Sequence, residues 1–121
     1  MIGVDIIKID RIKKMVEKFG EKGLKRFLND SEIEKLKKIE TIAGYWAAKE
    51  AIAKALKTGI GKELSFKDIE IYKEKSGAPN FKLPQRIVEK YKIKDKSLSI
   101  SHDGEYAIAV AAIESSAGNE S

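Results

Sequence analysis

The chain has 121 residues, of which 42% are hydrophobic and 36% are charged, and its formal net charge at pH 7 is +5. Its size and the lack of an internal repeat predict a single domain over residues 1–121, with no visible secretory signal and no apolar run long enough to span a membrane. With one histidine and no cysteine, disulfides and thiolate or multi-histidine metal sites are excluded, so any metal must be held by oxygen. The lack of cysteine also fits a cytoplasmic location.

The N-terminal part is predicted to form a buried strand followed by an amphipathic helix. Residues 2–7 are an apolar run interrupted by Asp5. Asp10 is expected to cap a helix that runs to Phe19 and stops at Gly20. One face of this helix is apolar, with Ile12, Met15, Val16 and Phe19. Its flank carries a basic stripe formed by Arg11, Lys14 and Lys18.

Most of the positive charge is concentrated in this N-terminal part. Residues 1–26 contain eight basic and four acidic residues. A basic surface attracts acidic partners and speeds their encounter, and either a nucleic acid or an acidic protein would fit. Composition alone supports equally the alternative that the lysines are simply solvated.

The middle of the chain is predicted to be helical. Ser31 and Glu34 match a capping box that would start a short helix reaching residue 39. A longer helix is expected over 41–57, and its alanines recur every four residues at positions 43, 47, 51 and 55. Small side chains at that spacing let another element approach closely. Trp46 on this helix is expected in the core.

The C-terminal half is predicted to be mainly strands. A strand over 68–72 turns at 76–79 and pairs back through 81–83, and Pro84 opens a short helix. Strands over 98–102 and 105–113 are joined by Asp103-Gly104, a hairpin signal. Residues 115–121 are small and polar and are expected to be a frayed tail. Because strands and helices mix without regular alternation, the fold class is predicted to be α+β.

Two acidic residues in apolar surroundings are the candidates for chemistry. Asp5 interrupts the first strand, and Glu50 lies on the long helix four residues before Lys54. Taken alone, Asp5 is more simply an edge residue that reaches solvent, and the Glu50–Lys54 spacing indicates only a surface ion pair. Buried together, the two carboxylates would need a partner. A divalent cation bound to phosphate is one such partner.

Four segments in a fixed order resemble the holo-[acyl-carrier-protein] synthases, the small 4′-phosphopantetheinyl transferases. They are Gly3-Val4-Asp5-Ile6, Lys49-Glu50-Ala51 with Lys54-Ala55, Thr58-Gly59-Ile60-Gly61, and Ser101-His102. The match extends from residue 3 to about residue 113. The resemblance implies a long alanine-rich helix packed on an antiparallel sheet, and an enzyme that transfers phosphopantetheine.

The resemblance also implies roles for the acidic site. Asp5 and Glu50 would be Mg²⁺ ligands, and Glu50 would in addition be a candidate base, acting directly or through water. Lys54 would neutralise charge on the leaving phosphate and contact coenzyme A. Lys49 would either contact a phosphate of coenzyme A or hold the site together.

The remaining implied roles concern the two substrates. Thr58 and Gly59 would line the coenzyme A site, although the same glycine could be a plain helix stop. Ser101 and His102 would lie near the nucleotide end of coenzyme A. Arg11 would face the carrier protein, and the stripe it shares with two lysines gives the partner-binding residues Arg11, Lys14 and Lys18.

The implied reaction moves the 4′-phosphopantetheine group from coenzyme A to a serine of apo-acyl carrier protein, depends on Mg²⁺ and releases 3′,5′-ADP. The partners would be coenzyme A, an acyl carrier protein, which family analogy alone favours as that of fatty-acid biosynthesis, and two further copies in a homotrimer, with neither nucleic acid nor membrane. The alternative is a small basic nucleic-acid-binding module. It accounts for the pI of about 9.3 but not for Asp5 and Glu50, and no aromatic-rich strand for stacking bases is visible.

Overall fold

One long helix packs on the larger of two antiparallel sheets in this computed structural model, which describes residues 1–116. The elements in chain order are β1 (Ile2–Lys8), α1 (Ile9–Phe19), α2 (Glu21–Lys25), α3 (Asp30–Lys35), α4 (Ile39–Ala55), β2 (Glu70–Lys73), β3 (Pro79–Lys82), α5 (Gln85–Lys90), β4 (Ile93–Asp103) and β5 (Tyr106–Ser115), with a short 3₁₀ turn at Phe66–Asp68. The predicted α+β class, with a long helix on an antiparallel sheet, is confirmed. No helix within residues 1–116 has the length and apolarity needed to cross a membrane.

The larger sheet has the strand order β1-β5-β4, and both pairings are antiparallel. Alternation along β5 gives this sheet two different faces. Ala107, Ala109 and Ala111 are buried against α4, whereas Ile108 and Val110 between them are exposed. The smaller sheet is the β2–β3 hairpin. One face of the larger sheet is therefore covered by α4, and the other is exposed.

β1 and α4 touch through their backbones. A Cβ atom built on Gly3 would lie 1.9 Å from the carbonyl oxygen of Ala51 and 2.6 Å from the amide nitrogen of Ala55. Ala51 and Ala55 are themselves buried. The alanine repeat of α4 thus permits the close approach that was predicted. The approaching element is β1, which has a glycine at the point of contact.

A second group of packed residues lies on another side of α4 and includes Trp46 of the helix itself. Phe27, Trp46 and Phe66 form an aromatic cluster in which the ring centroids of Phe27 and Trp46 are 5.0 Å apart and those of Trp46 and Phe66 are 4.6 Å apart. Lys49 is the one fully buried lysine among residues 1–116 and lies on this side. α4 is therefore a central helix with neighbours on nearly every side.

Several predicted boundaries are wrong. α1 begins at Ile9, so Asp10 lies in its first turn and does not cap it. α3 is capped by Asn29, whose backbone N–H donates to the Glu32 carboxylate at 2.7 Å. The predicted cap, Ser31, lies inside the helix and donates its hydroxyl to Glu70. The capping pair is thus shifted by two residues from the one predicted.

The β4–β5 hairpin is longer than predicted, both at the start of β4 and at the end of β5. β4 starts at Ile93, five residues before the predicted strand, because its polar N-terminal half gives no apolar alternation. Ser115 and Ser116 are not frayed, since the Ser115 hydroxyl donates to the Tyr91 carbonyl at 2.7 Å and the Ser116 N–H to the Lys92 carbonyl at 2.8 Å. The rest of the predicted tail, residues 117–121, lies outside the described part of the chain.

Replacing Gly3 by alanine is expected to destabilise the fold by about 1–3 kcal/mol or more, because the added methyl group meets backbone atoms that cannot rotate away. Chemical denaturation measures this loss. Gly61→Ala is the matched control, since a Cβ at Gly61 has no atom within 4 Å, and its unfolding midpoint should stay at or above that of the wild type. Equal stability of the two variants would contradict the close contact.

Candidate active site

Asp5 lies in the middle of β1 and faces α4. Its neighbours Val4 and Ile6 point the other way and are 51% and 59% exposed, as expected from the alternation of a strand. The Asp5 side chain is only 14% exposed, and its Oδ1 accepts a hydrogen bond from Lys54 Nζ at 2.8 Å. The acid is therefore held against the helix and does not simply reach into solvent.

Lys54 joins the last turn of α4 to β1. Its amine donates to Asp5 and, at 3.3 Å, to the carbonyl oxygen of Val4. In the described residues its ion pair is with Asp5, so the surface pair with Glu50 that the four-residue spacing alone would indicate is not the arrangement found. Half of the Lys54 side chain remains exposed. The amine can therefore also reach a ligand.

Glu50 shares this location with Asp5. Burial raises the pKa of the Glu50 carboxyl above its usual 4.5, and the nearby charge of Asp5 raises it further. The positive charges of Lys54 and Arg11 act in the opposite direction. Two carboxylates thus lie close enough to repel, in a site that excludes part of the surrounding water.

A cleft of about 210 Å³ opens over the two acids and is lined by Asp5, Ile6, Ile7, Arg11, Trp46 and Glu50. The Arg11 guanidinium lies 5.8 Å from the centroid of the Trp46 ring, within the range of a cation–π contact. The family resemblance implies that Arg11 faces the carrier protein, and Trp46 is expected in the core. Both also form walls of the acidic cleft, and their spacing along the chain gives no sign of this.

The cleft offers the ligands that Mg²⁺ prefers. Magnesium is commonly bound by one or two carboxylates, with waters and substrate phosphates completing its octahedral shell. No cluster of three or more Asp, Glu, His or Cys residues that could hold a metal occurs within residues 1–116, so a complete protein cage is absent there. A divalent cation would relieve the mutual repulsion of Asp5 and Glu50. The pair therefore fits a magnesium site in which a phosphate of the ligand completes the coordination.

Lys49 points away from the cleft into the protein interior. It is fully buried, and its amine donates to Glu32 Oε1 at 2.7 Å, to the Phe27 carbonyl at 2.7 Å and to the Phe66 carbonyl at 3.1 Å. Burial lowers the pKa of this amine, and the Glu32 carboxylate offsets the effect. The amine has no exposed surface, so the structure supports the alternative that Lys49 holds the site together over a direct contact with a coenzyme A phosphate.

Thr58 and Gly59 follow the end of α4. Their backbone N–H groups both donate to the Ala53 carbonyl, at 3.2 and 3.3 Å, and the Gly61 N–H donates to the Leu64 carbonyl at 2.9 Å. These amides already have acceptors within the chain. The arrangement supports the helix-stop alternative for the backbone, so any phosphate contact here would have to use other atoms of the segment.

Ser101 and His102 lie near the end of β4, across the sheet from the cleft. In the register of the sheet, Ser101 is opposite Ile108, which is opposite Ile6 on β1. Ser101 is therefore on the open face of the sheet, about 10 Å from β1 across two strand spacings. His102 is exposed and points to the opposite side of the strand. A single chain does not bring these two residues together with Asp5 and Glu50.

The two basic residues that follow Arg11 on the α1 flank stay on the surface. Lys14 pairs with Asp10 at 3.0 Å and is 76% exposed. Lys18 is also exposed, and its amine lies 5.2 Å from the Phe19 ring. The predicted basic stripe is thus divided: its first member enters the cleft, and the other two remain available to a macromolecule in solution.

Comparison with known proteins supports a family assignment. The model of the 4′-phosphopantetheinyl transferase superfamily matches residues 1–111. Holo-[acyl-carrier-protein] synthase of Sulfurimonas denitrificans is 56% identical over 120 residues, which is 99% of this chain and 99% of that protein. The corresponding enzyme of Nitratiruptor is 58% identical over 113 residues, covering 93% of this chain and 97% of the relative.

A solved structure extends the likeness to the fold. Helicobacter pylori holo-[acyl-carrier-protein] synthase in complex with coenzyme A superposes with a TM-score of 0.91 at 49% identity, over 94% of this chain and 100% of that one. The resemblance noted in the sequence is confirmed. The chain belongs to the 4′-phosphopantetheinyl transferase superfamily.

Proposed function

We propose that this protein transfers the 4′-phosphopantetheine group of coenzyme A to a serine hydroxyl of an apo-acyl carrier protein, with Mg²⁺ as cofactor and 3′,5′-ADP as the second product. The observation that carries the proposal is the cleft lined by Asp5 and Glu50, with Lys54 bonded to Asp5 beside it. Relatives at 50–58% identity carry the name holo-[acyl-carrier-protein] synthase, and the Helicobacter pylori enzyme holds coenzyme A.

In this proposal Asp5 and Glu50 hold the cation, which supplies a Lewis acid for the pyrophosphate of coenzyme A. The serine oxygen forms a bond to the phosphorus that carries the pantetheine arm, while the bond from that phosphorus to the bridging oxygen breaks. Glu50 accepts the serine proton, directly or through water, and a raised pKa makes its carboxylate a stronger base. Lys54 offsets the negative charge that grows on the leaving phosphate.

The other predicted contacts complete the proposal for coenzyme A. Thr58 and Gly59 border the end of α4, close to Lys54, and line the path of the ligand. Ser101 and His102 are too far across the sheet to serve the cleft of their own chain. We therefore propose that they serve the nucleotide end of coenzyme A bound at a neighbouring copy.

An exposed apolar face supports assembly into a homotrimer. The open side of the larger sheet carries Ile2, Val4, Ile6, Tyr106, Ile108 and Val110, all of them exposed. Apolar patches of this kind mark interaction sites, and Ser101 borders the same face. Sedimentation equilibrium tests the proposal, which requires a mass three times the 13.5 kDa of one chain. A cytoplasmic location and a role in fatty-acid biosynthesis belong to the same proposal.

The proposed reaction can be measured directly. Incubated with coenzyme A and Mg²⁺, the protein should add one phosphopantetheine group to a serine of apo-acyl carrier protein, as read by mass spectrometry, and a chelator should stop it. Asp5→Asn and Glu50→Gln should each lower the rate by at least about 10²-fold, because amides are poor ligands for Mg²⁺ and Gln removes the base.

Glu40→Gln is the matched control, since Glu40 is an acid in the first turn of the same helix. Its rate should stay within twofold of the wild type. Near-normal transfer by either site variant would refute the two-ligand site. No mass gain on any carrier, together with salt-sensitive binding to arbitrary DNA, would replace the transferase by the nucleic-acid-binding alternative.

The acid pair predicts a dependence of stability on pH. The folded-state pKa of Glu50 is raised, so the folded protein binds this proton more tightly than the unfolded chain does. Its stability falls as the pH rises through the interval between 4.5 and the raised value. Metal-free Glu50→Gln should therefore melt at a higher temperature than the wild type at pH 7, and the difference should disappear near pH 4.

Calorimetry with and without Mg²⁺ completes this test. Mg²⁺ at pH 7 should raise the melting temperature of the wild type and leave that of the variant unchanged, because only the wild type has both ligands. If metal-free Glu50→Gln had a lower melting temperature than the wild type at pH 7, the claim that the two acids repel each other in the folded protein would be contradicted.

Carrier docking gives a prediction that separates the residues of the basic stripe. Lys18→Glu should raise the KM for the carrier protein several-fold with little change in kcat, because Lys18 is remote from the cleft. Added salt should shrink the effect, since exposed charges are screened. Arg11→Glu should raise the same KM and also lower kcat, because the Arg11 charge acts on Glu50.

Lys75→Glu is the charge-matched control, as Lys75 is exposed in the turn between β2 and β3. It should change neither constant. If Lys18→Glu and Lys75→Glu had the same effect, α1 would not be the docking surface.

A further inference from the structure

The buried ion pair between Lys49 and Glu32 lies directly behind the acidic cleft. Lys49 precedes Glu50 on α4, so its side chain leaves the helix about 100° away from that of Glu50. The two side chains therefore face different neighbours. Lys49 points to α3 and the aromatic cluster, and Glu50 points to β1 and α1.

The pair is fully enclosed and fully hydrogen-bonded. Its side chains are 0% and 1% exposed. Glu32 accepts from the Lys49 amine at 2.7 Å, from the Asn29 N–H at 2.7 Å and from the Ile71 N–H at 2.8 Å. The Lys49 amine donates to two further backbone carbonyls, those of Phe27 and Phe66. One ion pair thus connects α4 to α3, to β2 and to two loops.

These directional contacts constrain α4 in a way that its apolar surface does not. The helix is buried on nearly every side, and many of its buried residues are alanines. Contacts of small, similar side chains distinguish weakly between slightly different rotations of a helix. A buried ammonium with three acceptors tolerates little displacement, because an unpaired buried charge is costly. The rotation that satisfies Lys49 also turns Glu50 and Lys54 toward Asp5.

We propose that Glu32, acting through Lys49, is a positioning residue for the acid pair, a role that rests on the transferase activity proposed above. It touches neither substrate nor metal. It fixes the rotation of α4 so that the Glu50 carboxylate stays within reach of a cation bound by Asp5. Misplacing a catalytic group by about 1 Å can cost on the order of 10²-fold in rate.

Two variants test this role. Glu32→Gln keeps the size of the side chain but removes the charge and sets an amide donor against a backbone N–H. Glu32→Gln/Lys49→Met removes both charges, so that neither is left buried without a partner. Both should lower kcat about 10- to 100-fold and weaken Mn²⁺ binding to the metal-free protein, while the KM for carrier protein stays within about twofold, because α1 is unchanged.

The control separates positioning from stability. Ile87→Ala removes a fully buried side chain on α5, away from the cleft, and should lower the melting temperature with kcat unchanged below the transition. All assays are run below the melting transition of each variant. The proposal is supported if kcat and Mn²⁺ affinity fall in the double variant, whether or not its melting temperature recovers.

Three outcomes would reject the positioning role, and a fourth would reject the proposed function. If both Glu32 variants keep the wild-type kcat and Mn²⁺ affinity, or if kcat simply follows melting temperature across all three variants, Glu32 is only structural. If both variants fail to fold while Ile87→Ala folds, the pair is needed for the fold as a whole, and the positioning role is rejected. If the wild type transfers nothing to any carrier, the proposed function has failed and not this inference.

Discussion

The contact between the backbones of β1 and α4 determines the rest of the site. At Gly3 the two elements approach so closely that no side chain fits between them. Asp5, two residues further along the strand, faces the same helix, and Glu50 and Lys54 each directly precede one of the two alanines that contact Gly3. A strand and a helix held this close must bring their polar side chains together, whatever charges those side chains carry.

The arrangement has a cost in stability. Asp5 raises the pKa of Glu50 and so opposes its ionisation, and Lys54 compensates by donating to Asp5. A divalent cation with a phosphate ligand would relieve the remaining repulsion. The interior around α4 is well satisfied: Lys49 pairs with Glu32, the aromatic rings pack together, and no buried side-chain polar atom among the described residues lacks a hydrogen-bond partner. An unfavourable acid pair is thus kept in place by a well-satisfied interior.

The sequence predicted those features that depend on local pattern. The positions of the first strand, the first helix, the alanine-rich helix and the final hairpin follow from periodicity and turn chemistry. The prediction that the first strand is buried is wrong, because one of its faces is exposed. The long-range features could not be read in this way. Lys54 and Asp5 are 49 positions apart, and it was the family resemblance, not spacing, that joined Asp5 to Glu50. Two roles remained open for Lys49, because a lysine in a helix looks the same whether it meets solvent or an acid 17 positions away.

Direct titration of Glu50 tests the central claim, that the β1–α4 contact forces two carboxylates into one site suited to a cation. The side-chain carboxyl carbon of Glu50 can be followed by ¹³C NMR in the wild type and in Asp5→Asn, with and without Mg²⁺. The titration midpoint of Glu50 in the wild type should lie above 4.5, and it should be lower in Asp5→Asn. Added Mg²⁺ should lower the midpoint in the wild type but not in Asp5→Asn. A midpoint that is the same in both proteins and unmoved by Mg²⁺ would show that the two acids do not share a site.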